Sequence, residues 1–201
     1  IGGAGNAIRG IFFAGETPSL VNTIQYVTMS SQGGSNHFGD LSYGKIGHNG
    51  AVANSTRAVT AGGYTDPGYS SRIEFVTIMT TGNSSDFGDL IIPKYAMGSF
   101  SSPTRGVFCG ADPGTSPNTT NDIDFIEIAT LGNALDFGDL ITPRLNAGGA
   151  ASQTRGLVMG GRDIPAGGTD DAEYITIASK GNAILFGSLI GTSSKCTAVS
   201  N

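Results

Sequence analysis

The sequence predicts an all-β chain built from four repeated units, each of about four short antiparallel strands. Three observations predict it. Two motifs recur in step along the 201 residues. Each copy carries the apolar–polar alternation of a half-buried strand. Gly, at 32 residues, recurs at fixed places between those strands.

The first motif is Thr104-Arg105-Gly106-Val107-Phe108-Cys109-Gly110-Ala111. It returns at Thr154–Gly161 and Thr56–Gly63, and more weakly at Ile8–Gly15, which places Arg9, Arg57, Arg105 and Arg155 at spacings of 48, 48 and 50. Each of these runs reads as one short strand. The second strand of a unit is the alternating run Asp124-Phe125-Ile126-Glu127-Ile128, matched at Glu74–Ile78 and Glu173–Ile177. A Gly turn follows at Gly33, Gly82, Gly132 and Gly181. The second motif then forms a third strand: Phe38-Gly39-Asp40-Leu41, Phe87-Gly88-Asp89-Leu90, Phe137-Gly138-Asp139-Leu140 and Phe186-Gly187-Ser188-Leu189. Twelve residues before each Phe stands another aromatic: Tyr26, Phe75, Phe125 or Tyr174. A small-residue stretch such as Ala147-Gly148-Gly149-Ala150-Ala151 completes the unit as a crowded strand.

About four strands in 48 to 50 residues match one blade of a β-propeller. The expected fold is a single domain, residues 1–201, with blades at about 1–41, 42–90, 91–140 and 141–190. Residues 191–201 are expected to act as a closing strand for the first blade. The segment Gly2–Ile8 resembles Gly148–Thr154, so it competes with the C-terminal strand for one inner position. The losing strand is expected to be displaced or to pair with another copy; a slice of a larger propeller is the further option. A parallel β-helix is the alternative architecture, although its coils are usually shorter.

Composition excludes several classes. Charged residues make up 13%, against roughly 25% in ordinary globular chains. With 38% hydrophobic residues, this is not a solvated disordered tail. No apolar run is long enough for a membrane helix. A net charge of −5 argues against nucleic acid as a partner. The four Lys read as scattered, and Cys109 and Cys196 as buried or half-buried thiols. The chain opens on Ile without a leader, which reads as processing or as a piece of something longer.

The long run from Thr104 to Leu140 resembles the kelch-like repeats of tail-associated and other virion proteins of tailed bacteriophages, notably marine ones. The resemblance covers nearly the whole chain, although the Trp of ordinary kelch repeats is absent. It implies a propeller on a particle surface or appendage and no catalytic residues. No cofactor is expected.

The recurring Arg9, Arg57, Arg105 and Arg155 read as structural, their forks suited to strand-end carbonyls or to the carboxylates of Asp40, Asp89 and Asp139. Phe38, Phe87, Phe137 and Phe186 are expected to fill the space between blades. Asp122/Asp124 and Asp170-Asp171 read as solvated loop acids rather than a calcium site. His37 and His48 lack the neighbours a zinc site needs. Four loops vary in length while their flanks hold register. On them Tyr64, Tyr69, Asp112, Asn118, Asn121, Arg162 and Asp163 are the candidate ligand-binding residues, suited to a glycan. The expected function is a non-enzymatic structural or adhesive module of a virion or appendage. It would be extracellular, associate with itself or other virion proteins, and contact host glycans. The alternatives are a self-assembling extracellular filament or surface-layer subunit, and a carbohydrate-active enzyme.

Overall fold

The computed structural model describes residues 1–45 and 50–198. It is all-β, with no helix among the described residues. Strands β1 (Gly2–Gly5), β2 (Arg9–Glu16), β3 (Leu20–Thr28) and β4 (Asn36–Asp40) form a first antiparallel meander. The second contains β5 (Gly50–Ala53) and β6 (Arg57–Ala61), then a side hairpin of β7 (Tyr64–Thr65) and β8 (Gly68–Tyr69), then β9 (Arg72–Thr77) and β10 (Ser85–Asp89). The third runs β11 (Gly98–Ser101), β12 (Arg105–Ala111), β13 (Thr120–Glu127) and β14 (Leu135–Asp139). The fourth runs β15 (Gly148–Ala151), β16 (Arg155–Met159), β18 (Gly167–Thr176) and β19 (Ile184–Ser193), with the short β17 (Arg162–Asp163) beside β18. The four sheets coincide with the four sequence units.

Local chemistry explains the turns. Asn54 Oδ1 accepts the Thr56 and Arg57 N–H groups at 2.9 and 2.8 Å, closing the tight β5–β6 connection. Asn6, Ser102 and Ser152 do the same work in the other sheets. At the end of the second strand of each sheet, within it or just past it, stands a left-handed residue: Gly62, Gly110 and Gly160 at φ 63°, 55° and 58°, and Ala14 at 58°. Only at Ala14 does a Cβ bear the steric penalty of that conformation.

The Phe-Gly-Asp motif is a β-bulge. Opposite Ile24 and Gln25, the pairing skips from Gly39 to His37 and leaves Phe38 as the extra residue. Phe87, Phe137 and Phe186 are skipped likewise. A bulge redirects its side chain out of the ladder. Here it drives Phe38, Phe87 and Phe137 into the next sheet, leaving them 2–3% exposed in cores shared with Ile78, Ile128 and Ile177.

Successive sheets therefore meet along three equivalent seams. In the first, Gly82 N–H donates to Phe38 O at 2.8 Å and Asn83 Oδ1 accepts from Asp40 N–H at 3.0 Å. The Gly132–Phe87 and Gly181–Phe137 bonds repeat the pattern, with Asn133 and Asn182 receiving Asp89 and Asp139 N–H. The seam is too close for a side chain on the motif Gly: a Cβ on Gly39, Gly88 or Gly138 would stand 2.1–2.6 Å from the neighbouring backbone.

Two expectations are corrected here. Residues 191–193 do not close the first sheet; they extend β19 along β18, while β1 holds the inner position against β2. The local Gly2–Gly5 strand needs only the tight Asn6 turn to reach β2, so it outcompetes a distant segment. Beyond them, Cys196 N–H bonds Asn146 O at 3.0 Å, and residues 199–201 of the expected closing strand lie outside the described residues. Phe186, unlike its three equivalents, is 56% exposed, because no sheet among the described residues lies against it.

Candidate functional site

The Arg set is structural in a specific way. Arg9, Arg57 and Arg105 each donate Nη1–H across a seam, to Ile78 O, Ile128 O and Ile177 O at 2.8–2.9 Å. Each guanidinium also lies 4.5–4.8 Å from the centroid of its own sheet's aromatic: Tyr26, Phe75 or Phe125. That aromatic stands edge-on to the motif Phe at 5.7–6.0 Å. Arg155 stacks on Tyr174 in the same way but bonds no carbonyl across a seam among the described residues. The carboxylate option does not hold for Asp40, Asp89 and Asp139. Asp40 instead meets His37 at 3.5 Å and Asp89 accepts from Ser71 at 3.0 Å, both on solvent-exposed positions. His48 lies outside the described residues.

Each seam also buries an ion pair that the sequence reading missed. Lys45 faces Glu74 at 3.8 Å, Lys94 faces Asp124 at 3.0 Å, and Arg144 donates to Glu173. All three cations are fully buried. The signal was present: each cation stands seven residues after its motif Phe, and each acid directly precedes Phe75, Phe125 or Tyr174. Lys45 and Lys94 are therefore not scattered. Asp122, Asp124, Asp170 and Asp171 lie on strands rather than in solvated loops, and Asp124 is fully buried, with its carboxyl pushed up by that burial. Burial likewise pushes the Cys109 thiol well up, which keeps it an unreactive core residue.

The loop candidates do not form one site. They divide among the seams. Tyr64 and Tyr69 face each other across the β7–β8 hairpin at 5.9 Å, and Tyr69 lies 4.8 Å from Tyr95. Asp112 is buried beneath them, accepting from Gly114 N–H at 2.7 Å and from Tyr69 OH at 3.4 Å. Burial first, then the Asp112 carboxylate, pushes the Tyr69 hydroxyl up to about 12. Asn121 is committed to bracing Leu140 O at 3.3 Å, as Asn22 braces Leu41 O. Asp163 receives the Thr119 hydroxyl at 3.2 Å at the third seam. Asn118 and Arg162 are exposed and separate.

One open cleft does assemble convergent polar groups. It has a volume of about 640 Å³ and lies between the first two sheets, lined by Tyr43, Asp66, Tyr69, Ser70, Ser71, Arg72 and Asp89, among others. The segment after β4 brings Tyr43 to it, the β7–β8 turn brings Asp66, and the start of β9 brings Arg72. Tyr43 OH bonds Ser70 Oγ, and burial raises its pKa. Arg72 Nη1 reaches Ser42 Oγ at 3.2 Å, with its guanidinium 5.4 Å from the Tyr43 ring centroid. Of these lining residues the sequence pointed only to Tyr69 as a ligand contact; Asp89 was read as part of the repeat, and the spacing of the others did not single them out. A second space, about 630 Å³, is lined by inner-strand residues of all four sheets, including Ala4, Val52, Ser101 and Gly149. Its lining holds no charged side chain, and Ser99 and Ser101 hydroxyls already bond Ala51 O and Ala53 O.

No family model matches the chain, and no curated protein matches it.

Proposed function

We propose that this chain is a non-enzymatic, kelch-like propeller module of a virion or extracellular appendage, which associates with other copies and holds glycans in the cleft between its first two sheets. Three features support the propeller part of this reading. The sheets are four-stranded meanders in chain order, their smallest strands line a common space, and neighbouring sheets join through one repeated seam.

The cleft carries the binding part. Aromatic faces of Tyr43 and Tyr69, the Arg72 fork and the carboxylates of Asp66 and Asp89 stand round one open space. Sugars present both an apolar ring face and a fan of hydroxyls, and this lining offers a surface for stacking together with donors and acceptors. The test is a glycan array followed by calorimetry on the best hit. Tyr69→Ala and Arg72→Ala are expected to weaken binding at least tenfold while the fold is retained. Uniform background across the array, or unchanged affinity in both variants, would refute glycan binding at this cleft. Turnover of a bound polysaccharide would instead favour the enzyme alternative.

A further inference from the structure

The three seams define what each sheet face presents to its neighbour, and two faces have no neighbouring sheet among the described residues. One is the face of the fourth sheet that carries Phe186. The other is the face of the first sheet that carries Met29. Phe186 is 56% exposed where Phe38, Phe87 and Phe137 are 2–3% exposed. Met29 is 63% exposed where its equivalents Ile78, Ile128 and Ile177 are at most 2% exposed. In each seam the motif Phe and that Ile share one core.

The two open faces differ from the internal ones in a matched way. Internally, the Asp40, Asp89 and Asp139 amides meet Asn83, Asn133 and Asn182. On the open faces the corresponding residues are Ser188 and Gly34. Internally, a buried cation meets a buried acid. On the open faces the corresponding residues are Ser193 and Gln25, both neutral. Both halves of the ion pair are therefore replaced together, and the Asn that accepts the amide is absent, while the backbone N–H of Ser188 remains. The apolar and backbone-directed parts are kept: Phe186 and Met29, Arg155 with its Nη groups, and the Gly33 turn. Either face set against a face of the internal kind would orphan a buried charge. Set against each other, they leave none.

We infer that the Phe186 face of one copy docks on the Met29 face of a second copy, head to tail, through a fourth version of the seam. Arg155 then reaches Met29 O, as Arg9 reaches Ile78 O within the chain. Residues Cys196–Ala198 already lie against Gly148, as Ala147 lies against Gly98, so the incoming sheet seats on the middle and outer strands of the face. The contact joins two different surfaces, so it propagates or closes into a ring rather than stopping at a two-fold dimer. This inference rests on the association part of the proposed reading and is independent of its glycan part.

The test is light scattering with complementary variants of the full chain. The unmodified chain is expected to show a mass above 20.4 kDa that rises with concentration. Phe186→Asp and Met29→Asp, each retaining one intact face, are expected to be single chains alone and to form a 1:1 pair when mixed. Leu135→Asp, at an exposed position off both faces, is expected to associate as the unmodified chain does. A single-chain mass for the unmodified protein at all concentrations, failure of the mixed variants to pair, or equal loss in Leu135→Asp would overturn the inference. Phe186→Ser and Met29→Ser replace either variant that lacks a cooperative melt. Glycan binding by the Phe186→Asp single chain reads the cleft separately, so failure of one proposal does not imply failure of the other.

Discussion

Removing the cation from the third seam while leaving its acid tests the seam architecture most directly. Arg144 is fully buried and donates to Thr142 O, Gly160 O and Asp171 O at 3.0–3.2 Å as well as to the Glu173 carboxylate. Arg144→Met leaves Glu173 fully buried, held only by the Ile141 and Thr142 N–H groups at 2.7 and 3.4 Å. An uncompensated buried charge costs about 3–5 kcal/mol, and each carbonyl left without a donor adds up to about 1 kcal/mol. With a urea dependence of about 3 kcal/mol per molar, the unfolding midpoint falls by roughly 1–3 M. Adding Glu173→Gln removes the charge, keeps a carbonyl oxygen for the Ile141 amide and recovers at least about 2 kcal/mol of the loss. Urea denaturation of the single and double variants is the assay. A single variant within about 1 kcal/mol of the parent, or a double variant less stable than the single, would refute the reasoning.

Two further outcomes are expected. Burial lowers the Lys45 pKa from 10.5 to about 8. The unfolded chain then holds a proton that the folded chain has released between those values, so stability rises with pH across that window, by up to about 3 kcal/mol. Lys45→Met is expected to remove that rise relative to the parent in denaturation at pH 7.5, 9 and 10.5, and identical slopes would disprove it. Gly39→Ala would place a Cβ 2.1 Å from Gly82 O, whereas a Cβ on Gly187 meets nothing within 4 Å. Thermal melts are expected to show Gly39→Ala losing about 2 kcal/mol or more and Gly187→Ala clearly less, with equal losses counting against the seam.

Periodicity alone made the strands and their order legible. A short strand followed by a tight turn is decided locally, by alternation, by the Asn or Ser that caps the turn and by Gly where the chain must go left-handed. Hence Arg57, Phe75 and Phe87 fall into strands at the places their spacing implies, although the bulge at Phe87 was not legible. The same register already contained Lys45, Lys94 and Arg144, but their acids lie some thirty residues on, and nothing in the chain marks which cation meets which acid until the sheets are stacked. The motif Asp residues show the opposite limit. Opposite charge made them natural partners for Arg, yet the bulge at Phe38 turns Asp40 outward and leaves Arg9 facing a carbonyl.

What the sequence by itself determined is therefore the repeat: four meanders, their turns, and the Gly positions where backbone passes close to backbone. Tertiary structure alone decided which strand holds the inner place in the first sheet, which carboxylates are buried, and that Tyr43, Tyr69 and Arg72 share one cleft while Asn121 and Asp163 do not. It also decided that Phe186, identical in motif to three buried residues, stands open. The reason is physical. Strand formation depends on neighbours in the chain, whereas burial and ion pairing depend on which surface is laid against which, and for the first and fourth sheets no surface among the described residues fills that place.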